Sequence, residues 1–179
     1  MENYIKTVLY AYPLLKNVGE DYAEHIRNKA ILSYNSNKTT FELAEYLAEE
    51  ILHKNALVRL KSIIEDNLSK LSDLEQELLA IRYFGKKRKS QRSPFPPNKG
   101  VEGVDPRFWS ERKYFRFLQR LSDKMAAMLV VGGVTKSFFE NELEKIDIIE
   151  KIHRFVEEGR DRKVAADERR WMGSCSASN

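Results

Sequence analysis

Arg112, Arg116 and Arg120 recur at intervals of about one helical turn with Lys113 beside them, and Lys86, Lys87, Arg88, Lys89, Arg92 and Arg107 precede them. Cations in such a row suit phosphate oxygens, and Arg also pairs bidentately with guanine O6 and N7. Other chemistry has thinner support. His25, His53 and His153 stand far apart, and the single Cys175 lies in a polar tail, so neither a thiolate zinc site nor an H-x-x-x-H spacing is present. Glu49-Glu50 and Glu157-Glu158 are adjacent on a helix and diverge by about 100°, which reads as solvated surface rather than a catalytic pair. Gly100-Val-Glu-Gly103 has no Gly-Lys-Ser/Thr after it and fails as a phosphate loop. No catalytic residue, metal or cofactor is expected.

The distribution of charge sharpens the cationic reading. The 179 residues carry a net charge of +4, divided as −3 over residues 1–85, +8 over 86–124 and −1 over 125–179. A near-neutral body with one basic segment is the pattern of a protein that meets a polyanion through one surface. The longest apolar run, ending at Val131, is far shorter than the ~20 residues of a bilayer span. The expectation is a cytoplasmic protein without a membrane partner.

The elements that must position these cations are helical. Apolar residues recur at helical steps through most of the chain, with no sustained alternation of the kind a half-buried strand shows. An all-α fold follows: a helical bundle with a helix-turn-helix-like unit and a long basic loop. Residues 1–33 read as two helices, or one kinked at Pro13 and Gly19. Thr39 with Glu42 forms a capping box that opens a long helix to Asn67, with Leu47, Ile51, Val58, Leu60, Ile64 and Leu68 assigned to its buried side. Glu45, Glu49, Glu50, Lys54, Lys61 and Glu65 are assigned to its solvated side. Ser72 with Glu75 forms a second box, and that helix stops at Gly85. Residues 86–108, with Pro94, Pro96, Pro97 and Pro106, read as a loop. Helix returns at Trp109 or Ser110 and ends at Gly132-Gly133; Ser137 with Glu140 reads as a third capping box, opening a helix through Phe139, Leu143, Ile146 and Ile149. That heptad-like spacing admits a homodimer or packing against the body. The tyrosines crowding the first half read as core packing between helices. The organisation is a helical body over 1–70, a unit over 71–134, a helix over 135–159 and a disordered tail over 160–179.

On a helical wheel, Leu118, Leu121, Met125, Met128 and Leu129 all fall within about 60° of Tyr114. Arg112, Lys113, Arg116, Arg120 and Trp109 lie on the other side. Such a rod is expected to rest on the molecule by its apolar stripe and to present its cations outward.

The string LSDLEQELLAIRYFGKK (71–87) followed by WSERKYFRFLQRLSDKMAAML (109–129) resembles the fourth region of bacterial sigma factors and the related ArpU-type phage transcriptional regulators. By that resemblance Glu75, Leu79, Arg82 and Tyr83 match a scaffold helix, and Ser110, Glu111, Arg112, Lys113 and Arg116 match the N-terminal half of a recognition helix. It implies non-catalytic binding of double-stranded DNA in transcription regulation. The rival expectation is a helical module whose basic face binds an acidic protein such as RNA polymerase; binding to structured RNA is a third.

Overall fold

The computed structural model describes residues 1–16, 18–34, 39–85 and 111–159. Among them the regular elements are all helical. Helix α1 (Asn3–Ala11) runs directly into a 3-10 turn (Tyr12–Leu15), where Pro13, which has no N–H to continue the α-helical ladder, occupies the first turn. Helix α2 (Val18–Tyr34) follows, then the long α3 (Thr40–Leu68), α4 (Asp73–Tyr83) and α5 (Glu111–Val131).

Local chemistry fixes most of these ends. At the start of α3, Glu42 N donates to Thr39 Oγ1 (3.3 Å) while Thr39 N donates to Glu42 Oε2 (2.8 Å). Ser72 and Glu75 repeat the exchange at α4 (3.4 and 3.0 Å). Each box satisfies two N–H groups that helix geometry leaves without partners. Helix α5 closes with Val134 N donating to Leu129 O (2.9 Å) and Gly133 N to Val130 O (3.0 Å), a Schellman arrangement in which Gly133 takes φ +100°.

One hydrophobic core joins the elements. Ile5, Val8 and Leu9 of α1 share this core with Leu57, Leu60 and Ile64 of α3, Leu78 and Leu79 of α4, and the apolar stripe of α5. Helix α5 is seated on the end of α3, where Asn67 Nδ2 donates to Met128 O (3.3 Å) and Gly132 lies against Ile63. Helix α4 crosses α5 in its second half, through Tyr83 Oη against Ser122 Oγ (3.2 Å) and Lys124 Nζ donating to Glu75 Oε1 (2.8 Å).

The structure corrects four expectations. The expected box at Ser137 gives way to Thr135, whose Oγ1 accepts from Phe138 N (3.1 Å), opening a short α6 (Lys136–Phe138). That segment widens into a π turn (Phe139–Leu143) and breaks at extended Ile146 before α7 (Asp147–Glu157) begins. Across the break Phe138, Phe139, Leu143, Ile146 and Ile149 all lie in the core. These heptad-spaced residues are therefore internal and leave no dimer seam there. In α3, Ile51 and Val58 are exposed while Leu57, Leu60 and Ile64 are fully buried. Glu50 is buried rather than solvated, because Lys29 of α2 donates to its Oε1 at 2.8 Å.

Tyr4, Tyr10 and Tyr12 do pack inward, but across several helices. Tyr4 meets Phe139, Tyr10 meets Tyr83 and Phe155, and Tyr12 meets Phe84.

Candidate nucleic-acid interface

Helix α5 divides into two faces. Tyr114, Leu118, Leu121, Met125 and Leu129 are between 0 and 5% exposed and belong to the core, with Met128 half-buried against it. Burying so many large side chains on one stripe, at roughly 1.5–3 kcal/mol each, fixes the rotation of the helix about its own axis. The opposite side is thereby turned to solvent. Arg112, Lys113, Arg116 and Arg120 are all exposed there. Arg112, Arg116 and Arg120 form no ion pair with any described residue.

The three guanidinium-bearing residues rise about 6 Å per step along the helix. Beyond them the surface changes. Gln119 Nε2 donates to both carboxylate oxygens of Asp123 (3.0 and 3.1 Å), and the N-terminal ammonium of Met1 stands 3.8 Å from the same carboxylate. Asp123 thus carries its own cationic neighbour at the far end of the arginine row.

Two contacts hold α5 against α4. The Tyr83–Ser122 contact is buried, and Lys124 reaches Glu75, whose Oε2 already accepts from Ser72. Burial by itself would raise the pKa of the Glu75 carboxyl; the hydrogen bonds from Lys124 and Ser72 outweigh it and hold the pKa below the ordinary value. Glu75 so caps one helix and fastens the next. Sequence reading placed Glu75 in the capping box but missed its partner on α5, because a pairing across 49 residues has no local signature.

Of the residues assigned to a scaffold helix by resemblance, Leu79 and Tyr83 are buried and Arg82 lies over the Tyr83 ring at 6.0 Å. Lys86, Lys87, Arg88, Lys89, Arg92, Arg107, Trp109 and Ser110 lie outside the described residues, as do residues 160–179, so the structure brings together only the α5 portion of the expected site.

His153 and Tyr22 are engaged in packing. His153 lies against Phe139, with Nδ1 3.0 Å from Thr7 Oγ1. Burial, followed by the neighbouring Glu50 carboxylate, pushes the Tyr22 phenol up to about 12. Among the described residues no three His, Cys, Asp or Glu side chains are grouped to hold a metal ion, and no helix is long and apolar enough to cross a membrane. No family model, curated protein or solved structure matches this chain.

Proposed function

We propose that this protein binds double-stranded DNA without catalysis, as a transcriptional regulator of bacterial or phage type, with the outer side of α5 in the major groove. The observation that carries the reading is the opposition of the two α5 faces: a fully packed apolar stripe, and behind it Arg112, Arg116 and Arg120 exposed. A helix with its side chains is about 10–12 Å across, which matches the ~12 Å width of the major groove. A rod whose rotation is already fixed by packing spends little further ordering entropy when its side chains meet a polyanion. The basic cluster from Lys86 to Arg92 supplies further phosphate contacts in this reading, and the sigma-type resemblance of the two flanking strings supports the transcriptional role.

The test replaces Arg112, Arg116 and Arg120 together by alanine. Exposed substitutions of this kind cost the fold about 0.5 kcal/mol or less each. If each arginine neutralises one phosphate, the slope of log affinity against log salt should become shallower by about 2.7, from roughly 0.9 per contact. Over a fourfold rise in salt, the wild type would then lose about 40-fold more affinity than the variant. A folded variant with unchanged duplex affinity and unchanged slope refutes the DNA reading and leaves the basic face to an acidic protein partner. Preference for duplex RNA in competition would redirect it to RNA.

A further inference from the structure

The first two-thirds of α3 carries a second apolar face that the core does not use. Phe41, Ala44, Ala48, Ile51, Asn55 and Val58 are spaced alternately three and four residues apart, and all six are exposed. Phe41 is 76% exposed, Ile51 47% and Val58 41%. These positions point away from Leu57, Leu60 and Ile64, the residues by which α3 enters the core. Alternating steps of three and four are the a/d pattern of a coiled-coil seam, here about 26 Å long at about 1.5 Å per residue, with one Asn among the apolar positions.

Three properties select the occupant. First, the seam is self-complementary when reversed: antiparallel superposition about the point between Glu49 and Glu50 sets Phe41 opposite Val58, Ala44 opposite Asn55 and Ala48 opposite Ile51. Each layer then joins an a to a d position, and two of the three join a small side chain to a larger one, as interdigitated packing requires. Second, the charge along the helix is polarised. Residues 40–49 hold the exposed Glu42, Glu45 and Glu49 with no Lys or Arg, Glu50 being turned inward to Lys29, and residues 51–61 hold Lys54, Arg59 and Lys61 with no Asp or Glu. Antiparallel pairing lays the acidic half of one helix on the basic half of the other, whereas parallel pairing stacks like on like. Third, the helix dipoles also oppose one another in the antiparallel arrangement.

We infer that this face of α3 is a homodimer interface, occupied by the same face of a second copy of the chain in antiparallel orientation. A two-fold interface is isologous, so residue i meets j and j meets i, which is what the reversed seam provides. This inference does not rest on the DNA reading.

Sedimentation velocity of the full chain over about two orders of magnitude in concentration should show a concentration-dependent dimer. Ile51→Lys places an ammonium at the centre of the seam and should weaken the dimer by about 30-fold or more, the scale of a central interface residue. Because Ile51 faces solvent in the monomer, the variant's circular dichroism and melting should match those of the wild type at concentrations low enough that both are monomeric. Phe41→Ser, at the most exposed seam position, is the second variant and should act in the same direction. Orientation is read from a spin label on Ser62→Cys in a Cys175→Ser background: antiparallel pairing separates the two labelled positions by about 38 Å along the axis. Parallel pairing sets them side by side, at the ~10 Å of packed helices. A monomer at every concentration, a dimer indifferent to both variants, or the short label distance overturns the inference; a dimer sensitive to the variants with the long distance establishes it.

Discussion

Glu75 offers the sharpest test of how α5 is held, because one carboxylate serves two structures through its two oxygens. Oε2 accepts from Ser72 N (3.0 Å) and completes the α4 capping box; Oε1 accepts from Lys124 Nζ (2.8 Å) and ties α4 to α5. Replacing Glu75 by Ala removes both. Loss of the capping bond should cost about 1 kcal/mol. The ion pair, discounted because Lys124 is 48% exposed, should add about 0.5–1 kcal/mol. Glu75→Gln keeps an oxygen for Ser72 and loses the Lys124 ion pair with its hydrogen bond, so its penalty should be about half that of Glu75→Ala. Urea denaturation of wild type, Glu75→Gln, Lys124→Met and the double variant measures the coupling directly, with about 0.5–1 kcal/mol expected at neutral pH. The sign with pH follows from the depressed carboxyl. The unfolded chain takes up its proton first, so the stabilisation is complete above the ordinary carboxylate range and is lost as pH falls through the lower folded value. Zero coupling at neutral pH, coupling that survives full protonation, or equal penalties for the Gln and Ala variants would refute the double role.

Two further outcomes concern the seating of the helices. Gly132→Ala would bring a Cβ to 2.8 Å from Ile63 Cγ2 and 3.3 Å from Met128 O, so about 1–3 kcal/mol of stability should be lost in chemical denaturation, with Ile63→Leu, which removes the Cγ2 methyl, recovering part of it. At the α2–α3 contact, burial disfavours the Glu50 carboxylate and the Lys29 hydrogen bond more than compensates, leaving its pKa lowered. Lys29→Met should therefore destabilise by about 1–2 kcal/mol at neutral pH, less than for a fully buried pair because Lys29 is 32% exposed. The deficit should shrink on acidification as Glu50 is protonated, and a deficit independent of pH in thermal melts would show that packing, not charge, is what was lost.

How much of the fold was legible depended on the range of the interactions involved. The boxes at Thr39–Glu42 and Ser72–Glu75 join residues three apart, and the stops at Gly85 and Gly133 need only a left-handed backbone, so each was readable in place. The two faces of α5 were legible for a related reason: Tyr114, Leu118, Leu121, Met125 and Leu129 fall on one stripe with Arg112, Arg116 and Arg120 opposite it. Helix α3 was different. It has apolar residues on more than one side, and its periodicity could not say which side the rest of the chain would cover; Leu57, Leu60 and Ile64 went in, and Ile51 and Val58 stayed out. Near its C-terminus the chain held competing hydroxyls at Thr135 and Ser137, and Thr135 became the cap.

The amino-acid order alone determined an all-helical chain, most helix ends and the orientation of the α5 arginines relative to its greasy stripe, because each depends on neighbours within one or two turns. Tertiary structure alone decided that Glu50 is buried against Lys29, that Glu75 reaches Lys124, that the Phe139–Ile149 segment is internal and that α3 retains an uncovered seam. Those outcomes depend on which surfaces of distant segments meet, and a single helix's periodicity carries no record of its partners.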